Sequence, residues 1–254
     1  MKKYILIVAS FVLALALLAG CASLHHPVAT GGDTTPATTE ATTEATTAGT
    51  TGFEVEASTH YMKEVYPQQI ERYYTSISQQ WDEVTYLDKE MCSAAAHYSS
   101  LADAGFAFTD LDGDGFWELI IGAIKGADKD PLVFEIWTIK DGKPEMLLQS
   151  GARNRYYLQY NEADNRWTVA YNTENGAANF ATYQLQMVNG AFKVVKGVIF
   201  DAVASEDAPW FETTDLDWDV SNDKPIDEAT ANAVMDAIGG SYTAAEYFPY
   251  DLYK

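Results

Sequence analysis

Apolar residues recur at helical spacings in the first part of the globular segment. The positions that follow Pro67 at intervals of three and four are Ile70, Tyr73, Tyr74, Ile77, Trp81 and Val84. This spacing places side chains on one face of a helix, and Pro67 suits a first helical turn, so a helix is predicted here. A second helix is predicted from Asp88 as N-cap through Met91, Ala95, Tyr98 and Leu101, with a stop near Gly105.

From Phe106 onward the apolar spacing changes to two, the period of a β-strand. The clearest example is the alternation of Tyr183, Leu185 and Met187 with Thr182, Gln184 and Gln186. Hairpin turns are predicted at Asp141–Gly142, Asn161–Asn165 and Asn189–Gly190. A closing helix is predicted from Asp227 to Gly239 and Gly240. The predicted fold class is α+β, with N-terminal helices, an antiparallel meander of about seven to nine strands and a C-terminal helix.

The first twenty residues have the three parts of a bacterial signal peptide. Lys2 and Lys3 form the charged start, residues 4–18 are an unbroken run of apolar and small residues, and Ala19 and Gly20 precede Cys21. The apolar run is shorter than the roughly 20 residues that a membrane-spanning helix needs. Cleavage before Cys21 is therefore predicted, rather than permanent insertion into the membrane.

Leu18, Ala19, Gly20 and Cys21 resemble a lipobox, the motif at which bacterial lipoproteins are joined to diacylglycerol and cut before the cysteine. The resemblance implies that Cys21 becomes a lipidated, palmitate-bearing first residue. It also implies that the protein is held in the bilayer at the extracytoplasmic face of the cell membrane, because two or more acyl chains anchor a protein stably. The alternative is an ordinary secretory signal in which Cys21 is incidental.

Residues 21–57 contain few large apolar side chains and repeated Thr-Thr pairs. A segment with so little to bury cannot offset the entropy lost on ordering, so a disordered tether is predicted behind the lipidated cysteine. Residues 58–254 then form a single globular domain, which is long enough for a substantial core.

The charge of the chain limits its partners. The formal net charge is −21, and removal of residues 1–20 leaves 14 basic residues against 37 acidic ones, a net charge of −23. Such a surface repels nucleic acid and anionic lipid head groups and attracts cations, so no nucleic-acid partner is expected. Once Cys21 is acylated, Cys92 is the one remaining cysteine, and no disulfide can form within the mature chain.

An acidic loop between two strand-like segments carries the clearest candidate chemistry. The carboxylates at loop positions 1, 3, 5 and 9 belong to Asp110, Asp112, Asp114 and Glu118. Gly115 at position 6 permits the positive φ of a tight turn, and alternate side chains of such a loop converge. Calcium takes six to eight oxygens, which these four carboxylates, the backbone carbonyl of Phe116 and water supply. A calcium site is therefore predicted at these residues.

The stretch Phe106–Gly122 resembles the calcium loop of FG-GAP and related propeller repeats, in which position 9 supplies the last carboxylate. An EF-hand differs, because it has flanking helices and a bidentate glutamate at position 12, which here is Ile121. One copy of the loop is present, so the several blades of a propeller are not predicted. The order of helices, loop and meander also resembles surface lipoproteins of Gram-positive gut bacteria with a single such loop, a resemblance that names no activity. A turn rich in Asp and Gly that binds no ion is the alternative.

A second acidic run, Asp215, Asp217, Asp219 and Asp223, repeats the spacing of the loop. Val220 stands where the glycine would be, and a β-branched residue resists the required turn. The run is therefore interpreted as a strand end leading into a turn, and whether it binds a second ion stays open.

The sheet region is also rich in aromatic side chains, namely Trp137, Tyr156, Tyr157, Tyr160, Trp167, Tyr171, Trp210 and Trp218. Most of them are expected to fill the core, because large aromatic residues dominate buried area. Those exposed on the second face of the sheet can stack on sugar rings.

Three classes of function remain open. The first is a non-enzymatic, membrane-anchored module that binds an extracellular glycan or protein ligand on a calcium-stabilised scaffold. The second is an extracellular hydrolase that attacks a cell-wall or dietary polymer with acidic residues. The third is an accessory subunit of an envelope complex. The first is favoured because the sequence contains no serine nucleophile elbow, glycine-rich phosphate loop or pair of metal-binding cysteines.

Overall fold

The structure is a computed structural model, and it describes residues 57–124, 130–240 and 242–254. The predicted signal peptide, Cys21 and nearly all of the predicted tether lie outside these residues. The described chain combines helices with one large antiparallel sheet. The predicted α+β class is therefore confirmed, with β structure predominating.

Short helices lie toward both ends of the described chain. They are α1 (Pro67–Ser78), α2 (Glu83–Asp88) and α3 (Glu228–Gly239), together with a π-helical turn at Tyr61–Val65 and 3₁₀ turns at Ser93–His97, Leu101–Asp103, Val220–Asn222 and Tyr250–Leu252. Helix α1 begins at Pro67, as predicted. Helix α3 follows Asp227, whose carboxylate accepts a hydrogen bond from the Thr230 amide at 2.7 Å. The closing helix therefore matches its prediction at both ends.

The helix predicted from Asp88 to near Gly105 is wrong. The helix in this region is α2, and its N-cap is Asp82, which accepts a hydrogen bond from the Thr85 amide at 2.8 Å. Helix α2 ends where the predicted helix would begin. Soon afterwards Glu90 has a φ of 54°, a left-handed backbone conformation that interrupts a helix.

The apolar residues that suggested these helices have other positions. Helix α1 ends at Ser78 and does not extend to Val84, because Gln80 has a φ of 53° and turns the chain. Met91 and Ala95 are buried in the core, but Met91 precedes a 3₁₀ turn and Ala95 lies within it, so they do not form the stripe of one continuous helix. The apolar residues of this segment are spaced as in a helix, but they are buried by an irregular backbone.

The sheet has eleven strands in the described residues. They are β1 (Ala104–Thr109), β2 (Glu118–Ala123), β3 (Leu132–Lys140), β4 (Lys143–Gln149), β5 (Asn154–Asn161), β6 (Arg166–Glu174), β7 (Asn179–Val188), β8 (Ala191–Asp201), β9 (Trp210–Thr213), β10 (Lys224–Pro225) and β11 (Phe248–Pro249). Their order is β10-β9-β8-β7-β6-β5-β3-β2-β1-β11, and β4 pairs with β3 beside this path. The two strands beyond the predicted seven to nine are accounted for by β10 and β11, which have two residues each.

Strand β3 is where the meander divides. Its first residues, Leu132 and Val133, pair with β5, whereas residues 135–140 pair with β4. The opposite edge of β3 pairs with β2. Strands β2 and β3 are therefore central, and both are buried along most of their length.

The predicted hairpin turns are confirmed. Asp141 and Gly142 join β3 to β4 with φ values of 52° and 72°, and Asn189 and Gly190 join β7 to β8 with φ values of 53° and 75°. Two successive positive φ angles match the right-handed twist of paired strands, and Asn, Asp and Gly tolerate them best. The β5–β6 connection contains Asn165, which has a φ of 51°.

The sheet buries apolar side chains on both faces. Leu119 and Ile121 of β2 join a cluster beneath α1. Ile120, between them in sequence, joins a separate cluster with Ile136 and Leu185. The predicted alternation along β7 is also confirmed, because its odd-numbered residues from 181 to 187 are buried and the even-numbered residues between them are half-buried.

Candidate metal site in the β1–β2 loop

The acidic loop connects two paired strands, as the sequence predicted. Thr109 at the end of β1 lies opposite Glu118 at the start of β2. Within the loop, Gly113 and Gly115 have φ values of 78° and 90°, which glycine adopts without strain. An added Cβ at either glycine would meet no atom within 4 Å, so backbone conformation, not space, calls for glycine.

Asp110 curls the loop around its own carboxylate. One of its oxygens accepts hydrogen bonds from the amides of Gly113 at 2.7 Å and Asp114 at 3.2 Å. The other accepts from the amide of Gly115 at 2.9 Å. Charge-assisted hydrogen bonds of this kind fix both the backbone and the direction of the carboxylate.

Glu118 closes the loop from beneath and is only 1% exposed. Its Oε2 atom accepts a hydrogen bond from the Leu111 amide at 2.9 Å, and its Oε1 atom accepts one from the Thr138 hydroxyl at 2.9 Å. Burial, and to a smaller extent the nearby carboxylates of Asp112 and Asp114, raises the pKa of Glu118 to about 7 against the lowering effect of these hydrogen bonds.

Asp112 joins the loop to a distant hairpin. Its Oδ2 atom accepts a hydrogen bond from the Gly190 amide, in the β7–β8 turn, at 2.8 Å. Its Oδ1 atom is buried and has no hydrogen-bond partner among the described residues. A buried acceptor without a partner costs about 1–3 kcal/mol, and an ion or water at this point would remove that cost.

Three of the predicted ligands come together. Asp110, Asp112 and Glu118 each offer a carboxylate oxygen, and these three oxygens lie within 4.8 Å of one another. Asp114 is not part of this group, and its Oδ1 atom accepts a hydrogen bond from the Phe116 amide at 2.8 Å. The side chain of Phe116 is 59% exposed, and the ligand role of its carbonyl stays a prediction.

The donor set fits a hard divalent cation. Carboxylate oxygens are the ligands that calcium and magnesium prefer, whereas zinc favours nitrogen and sulfur. Three carboxylates leave several calcium positions for backbone carbonyls, water or the oxygens of another molecule. The unpartnered Oδ1 atom of Asp112 is the detail that a bound ion explains best.

The second acidic run is organised differently. Asp215, Asp217 and Asp219 each accept a hydrogen bond from the amide two residues further on, at distances of 3.2, 2.9 and 3.1 Å. These are the turns that short acidic side chains form with their own backbone. Within the described part of the chain, no three carboxylates of this run meet within 4.8 Å as those of the β1–β2 loop do, although burial and the charges of Asp215, Asp217 and Asp219 raise the pKa of Asp223. The structure therefore supports the interpretation of the run as a turn after β9.

A further buried acid lies in the middle of β3, outside the loop. Glu135 is fully buried and accepts hydrogen bonds from the Tyr73 hydroxyl at 2.7 Å, the Trp137 indole at 2.8 Å and the Gln149 amide at 3.0 Å. The Tyr73 hydroxyl also accepts a hydrogen bond from the Cys92 amide at 3.1 Å. This network ties α1 to the sheet. The sequence offers one signal for it, a single glutamate within an apolar strand.

Comparisons with known proteins give no further assignment. No protein-family model matches the chain, no curated protein matches it, and no solved structure matches it. Across the described ranges, no helix has the length and apolar character that crossing a membrane requires. Function is therefore inferred from the acidic loop itself.

Proposed function

We propose that this protein is a lipid-anchored extracytoplasmic lipoprotein whose domain is stabilised by calcium and binds an extracellular ligand or partner without catalysing a reaction. The observation that carries the calcium part is the convergence of Asp110, Asp112 and Glu118. Carboxylates within 4.8 Å of one another repel unless a cation or a proton offsets their charge. A divalent cation does so and also supplies the partner that the Oδ1 atom of Asp112 lacks.

The proposed ion has a structural role. Asp110 holds the loop, Glu118 belongs to β2, and Asp112 reaches the β7–β8 turn through Gly190. A cation bound by all three side chains would join these parts of the domain. It would supply the cross-link that a mature chain with one free, buried cysteine cannot obtain from a disulfide.

Calcium is proposed over magnesium because of the form of the site. Calcium accepts six to eight oxygens in flexible geometry, whereas magnesium demands a near-ideal octahedron and gives up its waters reluctantly. The loop offers carboxylates from an exposed turn and from a buried strand, an irregular set of the kind that the flexible shell of calcium accepts. Extracellular calcium modules typically bind with dissociation constants of about 10⁻⁴ to 10⁻³ M.

The test is thermal unfolding of residues 21–254 carrying Cys21→Ser, in chelator, in calcium and in magnesium. At a dissociation constant of about 10⁻⁴ M, millimolar calcium stabilises the folded state by about 1.4 kcal/mol. For a domain of this size the melting temperature should rise by roughly 3–6 °C. Magnesium should produce a smaller rise.

Two variants make the test specific. Asp112→Ala should remove most of the calcium response, whereas Asp217→Ala, in the second acidic run, should retain it. The measured quantity is the shift between chelator and calcium, so a lower starting stability of Asp112→Ala does not affect the comparison. The calcium proposal fails if the wild-type chain shows no calcium-specific shift, or if Asp112→Ala shows the full one.

The membrane anchor has a separate test. Cys21→Ser removes the thiol that would accept the diacylglycerol, so metabolic labelling with palmitate should disappear and unprocessed precursor should accumulate. Cys92→Ser is the matched control and should be labelled and processed normally. Unchanged palmitate labelling of Cys21→Ser would refute the lipoprotein proposal.

A further inference from the structure

A cavity adjoins the acidic loop. It has a volume of about 470 Å³ and lies between this loop, the β5–β6 turn and the end of β7. The side chains that matter here are those of Asp110, Asp112, Asp164, Asn165, Arg166 and Trp167. Binding sites for small molecules usually have volumes of about 300–1,000 Å³, so this cavity is large enough for one.

Hydrogen bonds hold the walls of the cavity in place. In the β5–β6 turn, the Asn161 amide group donates to the Asp164 carboxylate at 2.8 Å, and the Tyr160 hydroxyl donates to the side-chain oxygen of Asn165. On the opposite wall, the hydrogen bond from Gly190 to Asp112 fixes the acidic loop against the β7–β8 turn. A site whose walls are already ordered loses little entropy when a ligand binds.

The chemistry of the walls favours a neutral ligand rich in hydroxyl groups. The carboxylates of Asp110, Asp112 and Asp164 are acceptors for hydroxyl groups. Bound calcium and Arg166 would offset part of their charge, so it is the net charge of −23 on residues 21–254 that disfavours an anionic ligand. One wall carries the half-buried indole of Trp167, whose ring lies 4.9 Å from that of Tyr160. An aromatic face beside several hydrogen-bonding side chains matches a sugar ring, which has an apolar face and a rim of hydroxyl groups.

The proposed calcium ion belongs to the same place. Asp110 and Asp112 both line the cavity and both belong to the converging carboxylate group. Three carboxylates do not fill the coordination shell of calcium, so oxygens of a ligand in the cavity can enter it. Sugar hydroxyl groups are ligands of the kind that calcium accepts.

We propose that this cavity binds a neutral saccharide, which stacks on Trp167 and coordinates calcium held by Asp110 and Asp112. The inference rests on the proposed calcium function, and it adds the chemical class of the ligand. Arg166 also lines the cavity and supplies donors for ligand oxygens. A protein ligand is a poorer match, because the aromatic contact of the cavity is confined to one wall between acidic turns.

The experiment measures binding by titration calorimetry, with residues 21–254 carrying Cys21→Ser and millimolar calcium. The probes are tetrasaccharides of β-1,4-linked glucose, mannose, xylose and N-acetylglucosamine, with a galacturonic acid tetrasaccharide as the anionic comparison. At least one neutral probe should bind, and the anionic probe should not. Chelator should weaken binding by at least about tenfold, the equivalent of about 1.4 kcal/mol.

Trp167→Ala should weaken saccharide binding by at least about tenfold and keep the full calcium shift in melting temperature. Trp210→Ala is the matched control, because Trp210 lies on β9 against Phe180 and Phe200 and does not line the cavity. This variant should bind as the wild-type chain does.

The outcomes separate the two proposals. A calcium shift without binding of any neutral probe overturns the saccharide site and leaves the calcium site standing. Saccharide binding that is unchanged in chelator, or unchanged in Trp167→Ala, also overturns the proposed mode of binding. The absence of a calcium-specific shift overturns the proposed function instead, and the calcium-bridged saccharide site with it.

Discussion

Replacement of Glu135 by leucine tests whether the hydrogen-bond network beneath α1 holds the helix on the sheet. Leucine has a similar volume and no acceptor, so the packing of β3 is largely retained. Three donors lose their acceptor, namely the Tyr73 hydroxyl, the Trp137 indole and the Gln149 amide. The change therefore isolates the polar contribution of one buried side chain.

The magnitude follows from the surroundings of each donor. Gln149 also donates to the Glu90 carbonyl at 2.9 Å and lies near the surface, so the loss of its hydrogen bond to Glu135 is taken to cost no free energy. Tyr73 is left as a fully buried unsatisfied donor, at a cost of about 2 kcal/mol, and the half-buried Trp137 indole as a partly solvated one, at a cost of about 1 kcal/mol. The expected destabilisation is about 3 kcal/mol, which lowers the melting temperature by roughly 6–12 °C.

Urea unfolding followed by tryptophan fluorescence gives the free energy of unfolding. Because Tyr73 and Glu135 share a hydrogen bond, their effects should not add. The double variant Tyr73→Phe/Glu135→Leu should be less destabilised than the two single variants together, by about 1–3 kcal/mol. Glu212→Gln is the control for loss of a surface charge, since its contact with Lys224 is exposed and worth at most about 1 kcal/mol.

Two results would contradict this prediction. A free energy of unfolding for Glu135→Leu within about 1 kcal/mol of the wild-type value would mean that the network contributes little. Additive effects in the double variant would mean that the Tyr73–Glu135 hydrogen bond does not contribute to the free energy of unfolding. Should Glu135→Leu not fold at all, Glu135→Gln, which keeps one acceptor, gives the same comparison at smaller cost.

The remaining predictions concern the tether, the buried thiol and a close backbone approach. Limited proteolysis should cut first within residues 22–57 and leave a resistant fragment that begins near residue 58, and protection of the Thr-rich segment would contradict the tether. Cys92 is fully buried, and burial raises its pKa to about 12, so a thiol reagent should label it in parallel with urea unfolding and not in the native protein. Gly105→Ala should lower the free energy of unfolding by about 1–3 kcal/mol, because the added Cβ would overlap a backbone carbonyl of β11. Gly151→Ala is the control: the added Cβ has open space there, so urea unfolding should show almost no change.

Local sequence patterns predicted the strands and turns better than the helices. The turns at Asp141 and Asn189 need positive φ angles, which Asp, Asn and Gly tolerate. The two residues of each turn were therefore enough to predict it. The helix prediction at Asp88 was wrong because Met91 and Ala95 are buried by contacts with distant parts of the core, and such contacts cannot be read from helical spacing. Burial of a short irregular segment gave the same pattern as an amphipathic helix.

The candidate site was predictable where it depends on one loop. The spacing of Asp110, Asp112 and Glu118 anticipates their convergence, because alternate side chains of a tight loop turn inward. The contact of Asp112 with Gly190 was not predictable, since it depends on which hairpin turn lies beside the loop. The cavity beside Trp167 could not be predicted for the same reason, because three segments far apart in sequence form its walls.

The hydrogen bond between Asp112 and Gly190 also bears on the order in which the chain folds. The two residues are 78 positions apart, so the acidic loop reaches its final form only after β7 and β8 have joined the sheet. Contacts of such separation are slow to form, because chain entropy is lost before they stabilise anything. If the loop binds calcium as proposed, the ion stabilises the native state more than the folding transition state, and it slows unfolding with little effect on refolding. If the protein also lies at a cell surface as proposed, where an opened chain meets proteases, external calcium would lengthen the lifetime of the folded protein rather than help it to fold.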